Sequence, residues 1–127
     1  MKLRCAHNSI RLRLRKSELD QLNRGFAVGE SITFPGGQTL VFQLSTDPGI
    51  SGMEAAWAGA VIDLRLPAKP ARDWIETDQV GMESFLPLPN GEQLELLVEK
   101  DFPCKDRPGE DQSDLFTELS NKTPDHC

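Results

Sequence analysis

Five basic side chains near the start of the chain have the spacing of one charged strand face. Lys2 and Arg4 stand two residues apart, and Arg11, Arg13 and Arg15 alternate with aliphatic residues in the next run. Every second residue of an extended strand lies on the same face, so these cations are expected opposite the core. Clustered guanidinium and ammonium groups bind carboxylates, phosphates or acidic protein surfaces. The pattern therefore predicts a face that binds an anionic ligand or an acidic protein partner.

Such a face needs negative charge nearby, because like charges opposite each other on paired strands cost a few tenths to about 1 kcal/mol each. Three sources are open: Glu95 and Glu99 facing outward on a neighbouring strand, the acidic segment 106–116 folding back, or an anionic ligand. Plain solvation of the arginines is a further interpretation. The chain has no Tyr, and no aromatic residue separates the arginines, which argues against a nucleic-acid partner.

Soft ligands for a metal or for redox chemistry are sparse. Cys104, His126 and Cys127 are weak candidates, but they lack the paired Cys-x2–4-Cys spacing of structural zinc sites. We therefore predict no metal and no cofactor, and we expect Cys5 in the core. The sequence contains no phosphate-binding loop, dinucleotide-binding fingerprint, zinc-protease motif or nucleophile elbow. No catalytic residue is predicted.

Length and charge restrict the class of protein. A chain of 127 residues with net charge −6 is expected to form one domain over residues 1–127. Residues 1–25 carry seven Lys or Arg against two Asp or Glu, whereas residues 99–127 carry four against eight. There is no apolar run long enough to span a membrane and no apolar signal segment, so we expect a cytoplasmic protein without a membrane partner.

The elements that carry the basic residues recur in the second half of the chain. Residues 3–22 align with 55–74 at a shift of 52, which places Arg13 on Arg65, and residues 35–44 align with 89–98 at a shift of 54. Each half is predicted as ββαββ, in repeat 1 (2–46) and repeat 2 (53–100), joined by a connector (47–52) and followed by an irregular acidic tail (101–127). We therefore predict an α+β fold, mostly antiparallel β, with pseudo-twofold symmetry. Its eight strands would form a barrel or two packed sheets, with two short helices.

Several local signals fix where these elements begin and end. Ser17 is predicted to cap the first helix, and Gly25 to end it in the left-handed conformation. Pro70 suits the first turn of the second helix. Segments 35–37 and 89–91 are predicted hairpin turns, the second containing Asn-Gly.

Three stretches together resemble a family of small bacterial proteins of unknown function. They are M-K-L-R-x-x-x-N-S-I-R-L-R-L at the start, W-x-x-x-D-x-V-G-x-E in the middle, and L-L-V-E-K-D-F-x-C followed by E-D-Q-S-D. The resemblance implies a single cytoplasmic domain and brings no catalytic residues. The duplicated unit is also similar to the barrel of the triphosphate tunnel (CYTH-like) enzymes. Those enzymes use Glu-x-Glu-x-Lys on the first strand, where this chain has Lys2-Leu3-Arg4-Cys5.

Three functional hypotheses remain open at this point. The first is a non-enzymatic binding or interaction module with a basic strand face. The second is a phosphate- or nucleotide-binding enzyme or sensor of the triphosphate tunnel type with degenerate motifs. It requires the arginines to point into a channel, with Glu95 and Glu99 holding a divalent metal. The third is a redox or metal site around Cys104.

Overall fold

Period-two alternation in eight segments produces eight strands in the computed structural model, which describes residues 1–102 and 113–119. The elements are β1 (Lys2–Ala6), β2 (Ser9–Leu14), α1 (Lys16–Asn23), β3 (Val28–Thr33), β4 (Thr39–Asp47), β5 (Glu54–Ala58), β6 (Val61–Pro67), α2 (Ala68–Glu76), β7 (Gly81–Pro87) and β8 (Gln93–Lys100). A short 3-10 helix, Thr117–Leu119, lies in the tail. The predicted α+β class, with eight strands and two helices, is confirmed.

The strands form two four-stranded sheets that are not closed into a barrel. One sheet has the order β1-β2-β8-β7 and the other β3-β4-β6-β5. The hairpin pairs are antiparallel, but the two central pairs, β2 with β8 and β4 with β6, are parallel. Of the two predicted arrangements, the structure has the two-sheet one. The parallel pairs were not predicted, because alternation along one strand carries no information about the direction of its neighbour.

Each sheet combines one hairpin from the first half of the chain with one from the second. Exchanging β1–β4 for β5–β8 converts the order of one sheet into the order of the other. The registers agree as well: Leu12 pairs with Val98 in one parallel pair, and Leu64 with Leu44 in the other. Arg13 and Arg65 therefore occupy equivalent positions in the two sheets.

One core lies between the inner faces of the sheets and the apolar sides of the helices. Its largest fully buried members include Trp74 of α2 and leucines of both sheets, such as Leu12 and Leu64. The predicted inward face of β2 is confirmed. The prediction for Cys5 is wrong: it is exposed on the edge strand β1 and pairs with Ile10, which is itself only half-buried where the sheet extends past the core.

The first helix begins two residues earlier than predicted. Arg15 is its cap residue, and the carboxylate of Glu18 accepts a hydrogen bond from the Arg15 amide at 2.9 Å. Ser17 lies inside the helix, so its prediction as the N-cap is wrong. Gly25 has φ +89° at the end of the helix, as predicted. Pro70 lies in the first turn of α2, where its missing N–H is not needed.

Candidate functional site

Four of the five predicted cations meet on the outer face of the first sheet. Lys2 pairs with Arg13 and Arg4 with Arg11 across the β1–β2 hairpin. Together with Leu3, these four residues line a cavity of ≈ 160 Å³, which we call the basic pocket. The fifth cation, Arg15, follows the end of β2 and is exposed at the start of α1. The alternation pattern therefore grouped the four cations of the pocket correctly, but it also included Arg15, which does not line the pocket.

Two carboxylates at the end of β8 lie against the basic pocket. Glu99 forms an ion pair with Arg11. Asp101 lies 3.2 Å from the Lys2 ammonium and 4.0 Å from Nη1 of Arg13, and is almost completely buried. The predicted pairing with an acidic neighbouring strand is thus found for Glu99. Asp101, the first tail residue, was not assigned a role, although its alternation with Glu99 places both on the same face.

Arg13 lies on the face opposite the core, where alternation places it, and is nevertheless buried. Only 9% of its side chain is exposed, because the Phe102 ring covers it with the guanidinium carbon 4.4 Å from the ring centroid. A cation over an aromatic face is attracted by the ring quadrupole. Phe102 follows the last strand by two residues, and no sequence signal connected it with Arg13.

The hydrogen-bond donors of Arg13 are only partly used. Its Nη1 faces Asp101, whereas its Nε and Nη2 atoms are buried and make no hydrogen bond with any part of the chain that the structure describes. Burial lowers the pKa of the Arg13 guanidinium, and the charge of Arg11 lowers it further, while Asp101 and Glu99 act in the opposite direction. Arginine remains protonated at neutral pH, so the site contains a buried cation with two donors that the described residues do not use.

The equivalent position in the second sheet provides a comparison within the molecule. Arg65 lines a cavity of ≈ 310 Å³ with Glu54, Ala55, Ala56 and Asp63, which occupy the register positions of Lys2, Leu3, Arg4 and Arg11. Its Nη1 lies 3.7 Å from Asp47, and its Nε donates to Asp63 at 3.3 Å. In this second pocket the chain itself supplies a carboxylate, Asp63, to the Nε side of the arginine, which we call its side edge.

Residues 113–119 of the tail contact α1. Asp114 accepts hydrogen bonds from the Ser17 amide at 3.1 Å and from the Ser17 hydroxyl at 2.7 Å. The Phe116 amide donates to the Asp101 carbonyl at 2.8 Å, and Phe116 is buried. Sequence reasoning missed this capping carboxylate, because it lies far along the chain in a segment without periodicity.

The weak metal candidates Cys104, His126 and Cys127 lie outside the described residues. Within residues 1–102 and 113–119, no group of three or more His, Cys, Asp or Glu side chains could hold a metal ion. In the same ranges, no helix has the length and apolar character required to cross a membrane.

The sequence match agrees with the expected family. A model of the family of unknown function DUF7009 matches residues 1–120, and the chain therefore belongs to this family. No curated protein and no solved structure matches the chain. The match includes both sheets, the basic pocket and the tail segment that caps α1.

Proposed function

We propose that this member of the DUF7009 family is a non-enzymatic binding module that holds an anionic ligand or an acidic partner in the basic pocket. The observation that carries the proposal is Arg13, a buried cation whose Nε and Nη2 donors have no partner among the described residues. A buried donor without an acceptor costs about 1–3 kcal/mol, and more when charged. An anion in the pocket would recover that cost.

The chemistry of the pocket favours binding over acid–base catalysis. The two carboxylates that lie against the basic pocket, Glu99 and Asp101, are in ion pairs with basic residues. They neutralise neighbouring cations, a role that competes with proton transfer to a ligand. Among the described residues, those that line the pocket include no aromatic side chain on which a base could stack, so the proposed partner is not a nucleic acid.

The alternative of a triphosphate tunnel enzyme or sensor is not supported. It requires a closed channel with the arginines inside and the aliphatic residues outside. The sheets are open, and Leu12 and Leu14 are fully buried in the core, on the face opposite the arginines.

Two further properties belong to the proposal. We infer that the ββαββ unit is duplicated, and the matching sheet orders and registers support this. We also place the protein in the bacterial cytoplasm. Cys5 supports that location, because it is a free, exposed thiol and such a thiol would be prone to oxidation in an oxidising compartment.

Titration of isotope-labelled protein with tripolyphosphate, followed through backbone amide shifts, tests the proposal. We expect saturable shifts confined to residues 2–4, 11–13 and 99–102. Arg11→Gln should weaken binding, whereas Arg24→Gln, at the exposed residue that follows α1, should not. Charge reversal at Arg13 is not a suitable test, because a new carboxylate beside buried Asp101 would disturb folding. Absence of saturable shifts, or equal loss in both variants, would refute the proposal.

A further inference from the structure

The group bound in the basic pocket can be inferred from the second pocket, and this inference rests on the proposed function. We propose that the ligand presents a carboxylate group, which lies side-on against Nε and Nη2 of Arg13. In the second pocket the equivalent arginine, Arg65, already has such a group on its Nε, namely Asp63.

The two pockets differ at the position that supplies this carboxylate. Arg13 and Arg65 have the same place in the register, opposite Lys2 and Glu54 respectively. Each has an aspartate near Nη1 that follows or ends the neighbouring strand: Asp101 for Arg13 and Asp47 for Arg65. The two pockets therefore share the same arrangement on the Nη1 side of the guanidinium group.

The two pockets differ on the other side of the guanidinium group, at Nε and Nη2. Asp63 occupies this side of Arg65, but the corresponding residue beside Arg13 is Arg11, which turns to Glu99. Nε and Nη2 of Arg13 are the atoms left without an acceptor in the described part of the chain. The N–H groups of these two atoms point the same way and form the fork that matches two oxygens of one carboxylate.

The dimensions of the basic pocket limit the size of the ligand. Its volume is ≈ 160 Å³. Pockets that enclose a drug-sized molecule measure about 300–1,000 Å³. The pocket therefore accommodates one small acid or the acidic end of a larger molecule. Since Nε and Nη2 are closed to solvent, the side chains that cover them must shift as the carboxylate enters.

A panel of sodium acetate, succinate and inorganic phosphate, at constant ionic strength with chloride as the baseline, tests the assignment by amide shifts and fitted Kd. We expect the carboxylates to bind with saturable shifts at residues 13 and 102. Arg13→Lys keeps the charge and removes the fork, so it should weaken carboxylate binding about tenfold or more. Arg24→Lys, the matched exchange at the exposed residue that follows α1, should leave the Kd unchanged.

A double variant introduces the residue types of the second pocket into the basic pocket. Arg11→Asp combined with Glu99→Ser places the residue types of Asp63 and Ser45 at the equivalent positions. The new aspartate should occupy the side edge of Arg13, so the folded variant should no longer bind acetate or succinate.

The possible results separate this inference from the proposed function. Binding of phosphate without binding of carboxylates would overturn the carboxylate assignment and leave an anion-binding module. Carboxylate binding that is indifferent to Arg13→Lys would overturn the assignment to Arg13. Failure of all three anions and of tripolyphosphate to bind would overturn both proposals.

Discussion

The carboxylate of Asp114 caps the first turn of α1 through Ser17, which lies 97 positions earlier in the chain. One oxygen accepts the Ser17 amide and the other accepts the Ser17 hydroxyl. A negative charge at a helix N-terminus also interacts favourably with the helix dipole. This pair attaches residues 113–119 to the domain, next to Asp101 and Phe102 after the end of β8.

Removal of this cap should destabilise the protein. We expect Asp114→Ala to lower the free energy of unfolding by about 1 kcal/mol, because two donors of the first turn lose their acceptor. Asp20→Asn is the matched control, since Asp20 is exposed on the same helix and its carboxylate pairs with Arg24 one turn away. Chemical denaturation measures both. Equal stability of the two variants would mean that the contact contributes nothing.

Gly81 is required by the close approach of β7 to β8. A Cβ at this position would lie 2.5 Å from the Val98 carbonyl oxygen, so alanine cannot fit without a backbone shift. We expect Gly81→Ala to cost about 1–3 kcal/mol. Gly36→Ala, where no atom lies within 4 Å, should change stability by less than about 0.5 kcal/mol. The same Tm for both variants in thermal denaturation would contradict the close contact of Gly81 with the Val98 carbonyl in the β7–β8 pair.

The two tryptophans report opposite environments. Trp74 is fully buried and donates a hydrogen bond to the Val80 carbonyl at 3.0 Å, whereas Trp57 is 78% exposed. Trp57→Phe should leave one blue-shifted emission that iodide quenches poorly, and Trp74→Phe should leave a red-shifted emission that iodide quenches readily. Trp74→Phe should also cost about 1–3 kcal/mol from lost packing, although the Val80 carbonyl still accepts the Lys100 amide at 2.9 Å. Similar spectra for the two variants would contradict the assignment of the core.

Arg13 is expected to contribute to binding and not to stability. An apolar side chain of similar length removes the desolvation cost of the buried guanidinium and of its two donors without an acceptor among the described residues. Arg13→Met should therefore leave the free energy of unfolding unchanged or raise it by about 1 kcal/mol, since Asp101 keeps Lys2 at 3.2 Å. The comparison variant Leu12→Ala, one residue earlier in the core, should lose about 2–5 kcal/mol. A loss of the same size in Arg13→Met would identify Arg13 as a structural residue.

The sequence predicted the features that depend on local alternation. The inward face of Leu12 and Leu14, the hairpin turns and the end of α1 at Gly25 followed from periodicity and turn chemistry. The basic pocket followed as well, because its four cations lie on two strands joined by one turn. These features require contacts only between neighbouring elements.

The remaining features depend on contacts between distant segments. The parallel pairing of β2 with β8 determines that Glu99 meets Arg11, and the chain after β8 determines that Phe102 covers Arg13. The exposure of Cys5 depends on where the core ends relative to the sheet edge. None of these relationships leaves a periodic signal in the sequence.

The Nε–H resonance of Arg13 gives the most direct test of the central claim that this side chain is the anion-binding group. It can be followed in a side-chain ¹H–¹⁵N spectrum during titration with succinate, with Arg65 Nε–H as the internal control and Arg13→Lys to assign the signal. We expect a saturable downfield shift of Arg13 Nε–H, while Arg65, already bonded to Asp63, stays in place. An unmoved Arg13 resonance, in a protein whose other amides show saturable succinate binding, would contradict the account.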